Sequence, residues 1–207
     1  EAVVMLRRAA GSYPRHPYLL GTLSAAALRA GLYEEARAAA EEALKGDPHN
    51  VEVIVNLASA HAGLGDRAGQ ERHARRALSI NPRSAEAWLS LGEARLAQGD
   101  PHDHEVAVRR AVDLDPALPR ARLGLSLIAL RRGDPAEALR EAERALALAP
   151  QDAATLSWVA TVRERLGDVE GARRAWLQVL TLVPEHPRAR ANLLRLSAGS
   201  PTTEPPR

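Results

Sequence analysis

Proline recurs at positions 14, 48, 82, 116, 150 and 184, and glycine at 31, 65, 99, 133 and 167. Every successive difference in both series is 34, and each glycine stands 17 residues after one proline and 17 before the next. Two residue types on one period make the chain an internal repeat, so its fold must be one unit stacked on copies of itself. Each half-period has room for one helix of about three to four turns plus a short turn.

The segments between the punctuation carry helical apolar spacing, as in Leu20, Leu23, Ala27 and Leu28, then Ala36, Ala40, Ala43 and Leu44. Proline cannot continue a helix interior and glycine tolerates the left-handed conformation, so each repeat reads as helix, Gly turn, helix, Pro turn. Composition agrees: the 45% apolar content is mostly Ala and Leu, with 3% aromatic residues and no Phe. Such residues favour close-packed helices over sheets. Charges of 28 Lys+Arg against 26 Asp+Glu are interleaved, which calls for no nucleic acid. Cysteine is absent, excluding disulfides, thiolate metal sites and Cys nucleophiles.

The pattern resembles the tetratricopeptide repeat, whose period is also 34 residues. Five full repeats lie at 17–50, 51–84, 85–118, 119–152 and 153–186. The third matches best, with Trp88, Leu91, Gly92, Gly99, Ala111 and Pro116 at the family's marked positions, although His104 stands where Ala is usual. The first has Leu23, Gly31, Tyr33, Ala36, Ala43 and Pro48, and the second keeps Leu57, Gly65, Ala77 and Pro82 but places Gln70 at the small-residue position. The fourth has Leu125, Gly133, Ala138, Ala145 and Pro150, the fifth Gly167, Ala172, Trp176 and Pro184. The resemblance implies an all-α fold, an α-solenoid of stacked antiparallel helix pairs wound as a right-handed superhelix.

Residues 1–16 fit the second helix of a truncated repeat, 187–198 a lone first helix acting as a cap, and 199–207 a disordered tail. A solenoid repeat buries its apolar face only against neighbours, so the helix carrying Val3, Val4 and Leu6 lacks its own partner helix. A trimmed or partial chain is the expectation, with self-association through this incomplete N-terminal repeat as the alternative. No stretch of about 18 apolar residues exists to insert in a membrane, and no signal segment opens the chain, which makes the cytoplasm the default compartment. The Ala-rich bias and the preference for Arg over Lys are associated with a bacterial source.

The stretch "DPHDHEV" at 100–106 is the most enzyme-like part of the chain. Gly99 ends one helix, however, so Asp100 reads as the N-cap of the next, Pro101 as its first residue and Asp103 as the acid that completes a capping box. His102 and His104 are two residues apart, about 200° around a helix, and cannot chelate one ion from it. His104 takes the family's small-residue position, where Gly92 leaves space for a ring. The other histidines, 16, 49, 61, 73 and 186, are scattered among turns and helices, and no phosphate-binding, nucleophile-elbow or zinc-protease motif is present. No catalytic residue, metal site or cofactor is expected. A metal-dependent activity around His102 and His104 is the alternative that stoichiometric metal would support.

Function is therefore expected on the surface that the fold makes. The resemblance implies a concave face lined by the second, fifth, sixth, ninth, twelfth and thirteenth residues of each repeat, which holds a partner's peptide or helix. On this mapping the groove residues are Val55, Asn56, Leu89, Glu93, Arg120, Leu123, Leu127, Arg131, Trp158, Arg165, Asn192 and Arg195. Of the family's carboxylate-clamp set only Asn56 is present, which predicts against chaperone-tail binding. The expected function is a non-enzymatic scaffold for a protein segment with apolar anchors and some acidic residues, Trp158 being a candidate hot spot. Alternatively, Leu123 and Leu127 pack between repeats and Trp158 covers a neighbouring helix. The repeat region of a larger enzyme, sensor or transcription regulator is the second reading of function.

Overall fold

The computed structural model describes residues 2–13 and 16–197. Its helices are α1 (Ala2–Ser12), α2 (Pro17–Arg29), α3 (Tyr33–Gly46), α4 (Val51–Gly63), α5 (Arg67–Ile80), α6 (Ala85–Ala97), α7 (Pro101–Leu114), α8 (Pro119–Arg131), α9 (Pro135–Leu148), α10 (Ala153–Arg165), α11 (Val169–Leu182) and α12 (Pro187–Ser197). There is no strand among the described residues. Each even-numbered helix from α2 to α10 packs against the helix that follows it, so one repeat is one antiparallel pair. The chain divides into two compact units, Glu1–Asp115 and Pro116–Arg207. Pro14 and the segment from residue 198 lie outside the described residues.

The turn inside each repeat is a double-duty device. At the end of α6, Gly99 adopts φ +85°, its N–H donates to the Leu96 carbonyl at 3.0 Å, and the Asp100 N–H donates to the Arg95 carbonyl at 2.9 Å. These two bonds close the α6 C-terminus as a Schellman motif, and only glycine takes that φ without strain. Asp100 then begins α7: its Oδ1 accepts from the Asp103 N–H at 3.0 Å, and Pro101 occupies the first helical turn. Asp66, Asp134 and Asp168 repeat the arrangement. The capping box expected at Asp103 is only half made. The Asp100 N–H is already committed to Arg95, so the Asp103 carboxylate turns instead toward the Arg95 guanidinium, 3.7 Å away.

Between the two helices of a repeat, the eighth and twentieth residues meet. Where they are Ser24 with Ala36, or Ser126 with Ala138, the serine hydroxyl donates to the alanine carbonyl at 2.9 and 2.6 Å. In the third repeat the large partner is on the other side: Gly92 faces His104, whose Nδ1 lies 3.1 Å from the Gly92 carbonyl, so this nitrogen carries the proton and donates. A Cβ on Gly92 would stand 3.0 Å from the Ala107 methyl and 3.2 Å from the His104 carbonyl, which explains the glycine. In the second repeat Gln70, fully buried, donates from its amide to the Ser90 carbonyl of the next repeat at 3.1 Å. Each of these seam side chains has a partner, as burial requires.

In the third and fourth repeats and in α12 the fourth residue secures the turn before it. The Trp88 indole N–H donates to the Pro82 carbonyl at 2.9 Å, and the Arg122 and Arg190 Nε atoms donate to Pro116 and Pro184 at 3.0 and 3.1 Å. An indole and a guanidinium thus do one job. The apolar core of the first unit gathers Leu20, Leu23, Leu44, Ile54 and Leu57, with Val3 and Leu6 of α1 packed against it. In the second, Trp176 is fully buried among Leu156, Ala160, Ala175 and Val179, and Leu193 and Leu196 of α12 cover this cluster. Each fully buried large side chain contributes about 1.5–3 kcal/mol.

Candidate binding face on the first helices

The first helices of consecutive repeats pack on one another, α2 on α4 and α4 on α6 in the first unit, α8 on α10 in the second. Their outward rows form a candidate face on each unit, and the two units furnish theirs differently.

In the first unit the second-position residues Tyr18, Glu52 and Glu86 are exposed. Val55 and Leu89, expected as groove anchors, are only 5% and 2% exposed. They are core residues and offer a partner almost no surface. Asn56 is half-buried on the same helix as Val55. Glu93 is half-buried, with the Gln70 amide 3.5 Å from its carboxylate.

In the second unit α8 presents a continuous stripe. Arg120 and Arg131 are exposed, and Leu123 and Leu127 between them are half-buried. Eleven helical residues span about 16 Å and return to within about 20° of the same direction, so the two guanidinium groups bracket the two leucines on one face. On α10, Ala154, Thr161 and Arg165 continue the face, Arg165 being exposed. No acid occurs on α8 or α12. The one acid of α10, Glu164, is turned inward, where it accepts from the Trp176 indole at 2.7 Å and pairs with Arg195.

That pairing engages one of the expected groove residues, Arg195, which is half-buried as is Asn192 beside it. Arg195 is bound to Glu164 and so fastens α12 to α10, and it also donates to the Asn192 Oδ1 on its own helix at 3.3 Å. Arg188 assists, lying 5.8 Å from the Trp176 ring centre and donating to the Thr161 hydroxyl at 3.3 Å. Trp158 is likewise structural: its indole N–H donates to Ser126 Oγ at 2.7 Å and its ring covers the cluster of Ala129, Ala138 and Val162. Its polar edge is satisfied internally and its ring is half-buried, like Leu123 and Leu127.

The histidines are less scattered than their sequence positions suggest. His61 and His73 stack with ring centres 5.0 Å apart, and His61 Nδ1 lies 2.8 Å from Asp66 Oδ2. Burial, then the nearby His61, Arg72 and Arg76, push His73 down to about 4. The Gly69 N–H, foremost, holds Asp66 below the usual carboxylate range. Residues 61 and 73 fall on opposite helices of a pair, a relation invisible to short-range spacing. His102 is exposed on α7 while His104 is buried, and no three His, Asp or Glu side chains among the described residues converge to hold a metal. No described helix is long and apolar enough to cross a membrane.

Comparison with known proteins places this geometry. Residues 27–69 match a tetratricopeptide-repeat family model, and residues 73–190, more than half the chain, match the model of the cytochrome c-type biogenesis protein H TPR domain. The chain belongs to the tetratricopeptide-repeat family, through this TPR-domain model, and its fold is the all-α solenoid of stacked helix pairs. No curated protein matches it. Among solved structures, a thermophilic TPR protein of Thermus thermophilus, TTC0263, is 20% identical over 88% of this chain and 100% of that one, with a TM-score of 0.77. The anaphase-promoting-complex assembly Cut9–Hcn1 gives 16% identity over 95% of this chain and 39% of that chain, TM-score 0.80. YrrB, described as a TPR protein with an unusual peptide-binding site, gives 16% identity over 90% and 96%, TM-score 0.53.

Proposed function

We propose that this chain is a non-enzymatic scaffold that holds a segment of a partner protein on the outward face of its first helices, with the second unit carrying the principal contacts. The observation that supports this reading is the α8 stripe, where half-buried Leu123 and Leu127 stand open to a partner's apolar side chains between exposed arginines. Arg165 extends the same face, and Asn56 and Glu93 offer polar contacts in the first unit. The partner is an amphipathic helix or peptide with apolar anchors and acidic residues. The matched family model is named for cytochrome c-type biogenesis, so proteins of that process are the first partners to test. The match with the longer Cut9–Hcn1 chain covers 39% of it, and a recruiting region within a larger protein would use the same face.

A photo-crosslinking residue in place of Arg131, which lies on this face, is expected to capture a partner in the source cell. The same residue in place of Arg140, exposed on the outer helix α9, is expected to capture none. Capture from position 140 alone would show that the wrong face has been chosen.

A further inference from the structure

Two helices, α1 and α12, stand without the partner that each full repeat provides, and they lack opposite halves of it. We infer that the open side of α12 receives α1 of a second copy of this chain, so that copies join end to end and rebuild one repeat at each junction. The contact uses Leu194, Ala2 and Met5, which are no part of the binding face proposed above. The repeat phase argues for a second copy. Counted on the 34-residue period, α12 supplies positions 1–11 of a repeat and α1 positions 20–30. Each second helix from α3 to α11 has 14 residues, whereas residues 198–207 are ten, with prolines at 201, 205 and 206, and do not supply one.

The side chains argue for the same pairing. In all five full repeats the eighth and twentieth residues are buried. On α12 and α1 these positions hold Leu194 and Ala2, and both are exposed, Leu194 at 72%. The seams of the fold never set two large side chains face to face: Ser24 meets Ala36, Gly92 meets His104, and Ser126 meets Ala138. Leu194 against Ala2 keeps that rule, with the sizes of Gly92 and His104 reversed. Position 23 agrees, since Ala39, Ala107, Glu141 and Ala175 are buried there while Met5, its counterpart on α1, is 67% exposed. Ala2, Met5, Leu6 and Ala9 fall on one side of α1 at the i, i+3, i+4, i+7 spacing by which a second helix meets a first. The basic side chains of the two helices do not oppose the contact, because Arg7 is bound to Glu35, Arg190 to Glu185 and Arg195 to Glu164. Each added copy again presents a free α1 or a free α12, so the assembly is open-ended and does not close at two.

The test is analytical ultracentrifugation of the full chain over a concentration series, with circular dichroism to check that each variant stays folded. The mass of the unaltered chain is expected to rise past that of a dimer. Leu194→Glu and Met5→Glu change side chains that are exposed in the single copy, and each is expected to weaken association at least about tenfold by placing a charge in the apolar contact. Mixed in equal amounts, the two variants should form a one-to-one dimer that grows no further, because one keeps an intact α12 and the other an intact α1. Ala2→Leu should weaken association, and adding Leu194→Ala should restore most of it. A chain that stays monomeric throughout overturns the inference. A dimer that stops at two and responds to only one of the glutamate variants shows like ends meeting, and overturns it as well. Association that ignores Ala2→Leu overturns the assigned register of the junction.

Discussion

The two units share a backbone plan and differ in what they bury. In the first, bulky polar side chains enter the seam between paired helices: Gln70, His104 and the stacked His61 and His73. In the second, that seam keeps Ala138 and Ala172, and beside the small hydroxyls of Ser126, Thr155 and Ser157 the larger buried polar groups are carboxylates. Glu141 is held by Arg122 at 3.2 Å and by Arg144, and Glu164 by Trp176 and Arg195. The repeat geometry thus tolerates either solution, Gln70 and the two carboxylates each meeting a hydrogen-bond partner while the buried His73 Nδ1 has none and rests on its stack with His61. What does not survive the exchange is the surface. With Glu164 turned inward and the other acids on the outer helices or in the turns, the first helices of the second unit present arginines and leucines, while those of the first present Tyr18, Glu52 and Glu86.

The largest expected effect is on the second unit. Trp176→Ala should lower stability by about 3–5 kcal/mol, since a fully buried indole leaves a cavity and Glu164 loses a donor. Urea denaturation measures it, and an unchanged midpoint would show that the α12 clasp does not organise this unit. A middle-sized effect tests whether the seams are interchangeable. His104→Ala and Gly92→Ser should each cost about 1–3 kcal/mol, the first by leaving a cavity and the second by crowding the ring. The double variant recreates the Ser126–Ala138 pair and should recover more than half of the summed loss. Additive losses would mean that the two seams are not equivalent.

The smallest effect concerns pH. His73 is held at about 4 in the fold against an ordinary 6.5, so between those values the unfolded chain takes up a proton that the folded chain refuses. Stability should therefore fall as pH drops from about 6.5 towards 4 and level off below. His73→Gln should flatten that part of the urea-midpoint profile, and a parallel profile in both proteins would refute the assignment. Because the ring is half-buried, solvent screening keeps the effect modest.

Much of the fold was legible in the sequence, and for local reasons. Helix ends depend on residues within a few positions, so the Gly–Asp turns and the Asp100 cap could be read directly. The Asp103 box could not, because the N–H it needed is taken by Arg95 through the closing of the previous helix. The candidate site was less legible. Position within the repeat identified the exposed Arg120, Arg131 and Arg165 and the half-buried Leu123 and Leu127. It also named Val55 and Leu89, which are buried, and Trp158, Asn192 and Arg195, which are half-buried and hydrogen-bonded within the fold. Position states which way a side chain leaves its helix; it does not state whether a neighbouring helix or a buried acid will receive it.

The stacking unit, its 34-residue period, its helix boundaries and its turn chemistry were all present in the order of residues, because each is set by contacts between near neighbours in the chain. Which inward side chains stay available was settled only when helices came together. His61 meets His73, Ser126 meets Trp158, and Glu164 meets Arg195 31 residues on, and burial turns each meeting into a bond that has to be made. The basic, leucine-lined face of the second unit is what those meetings leave uncovered.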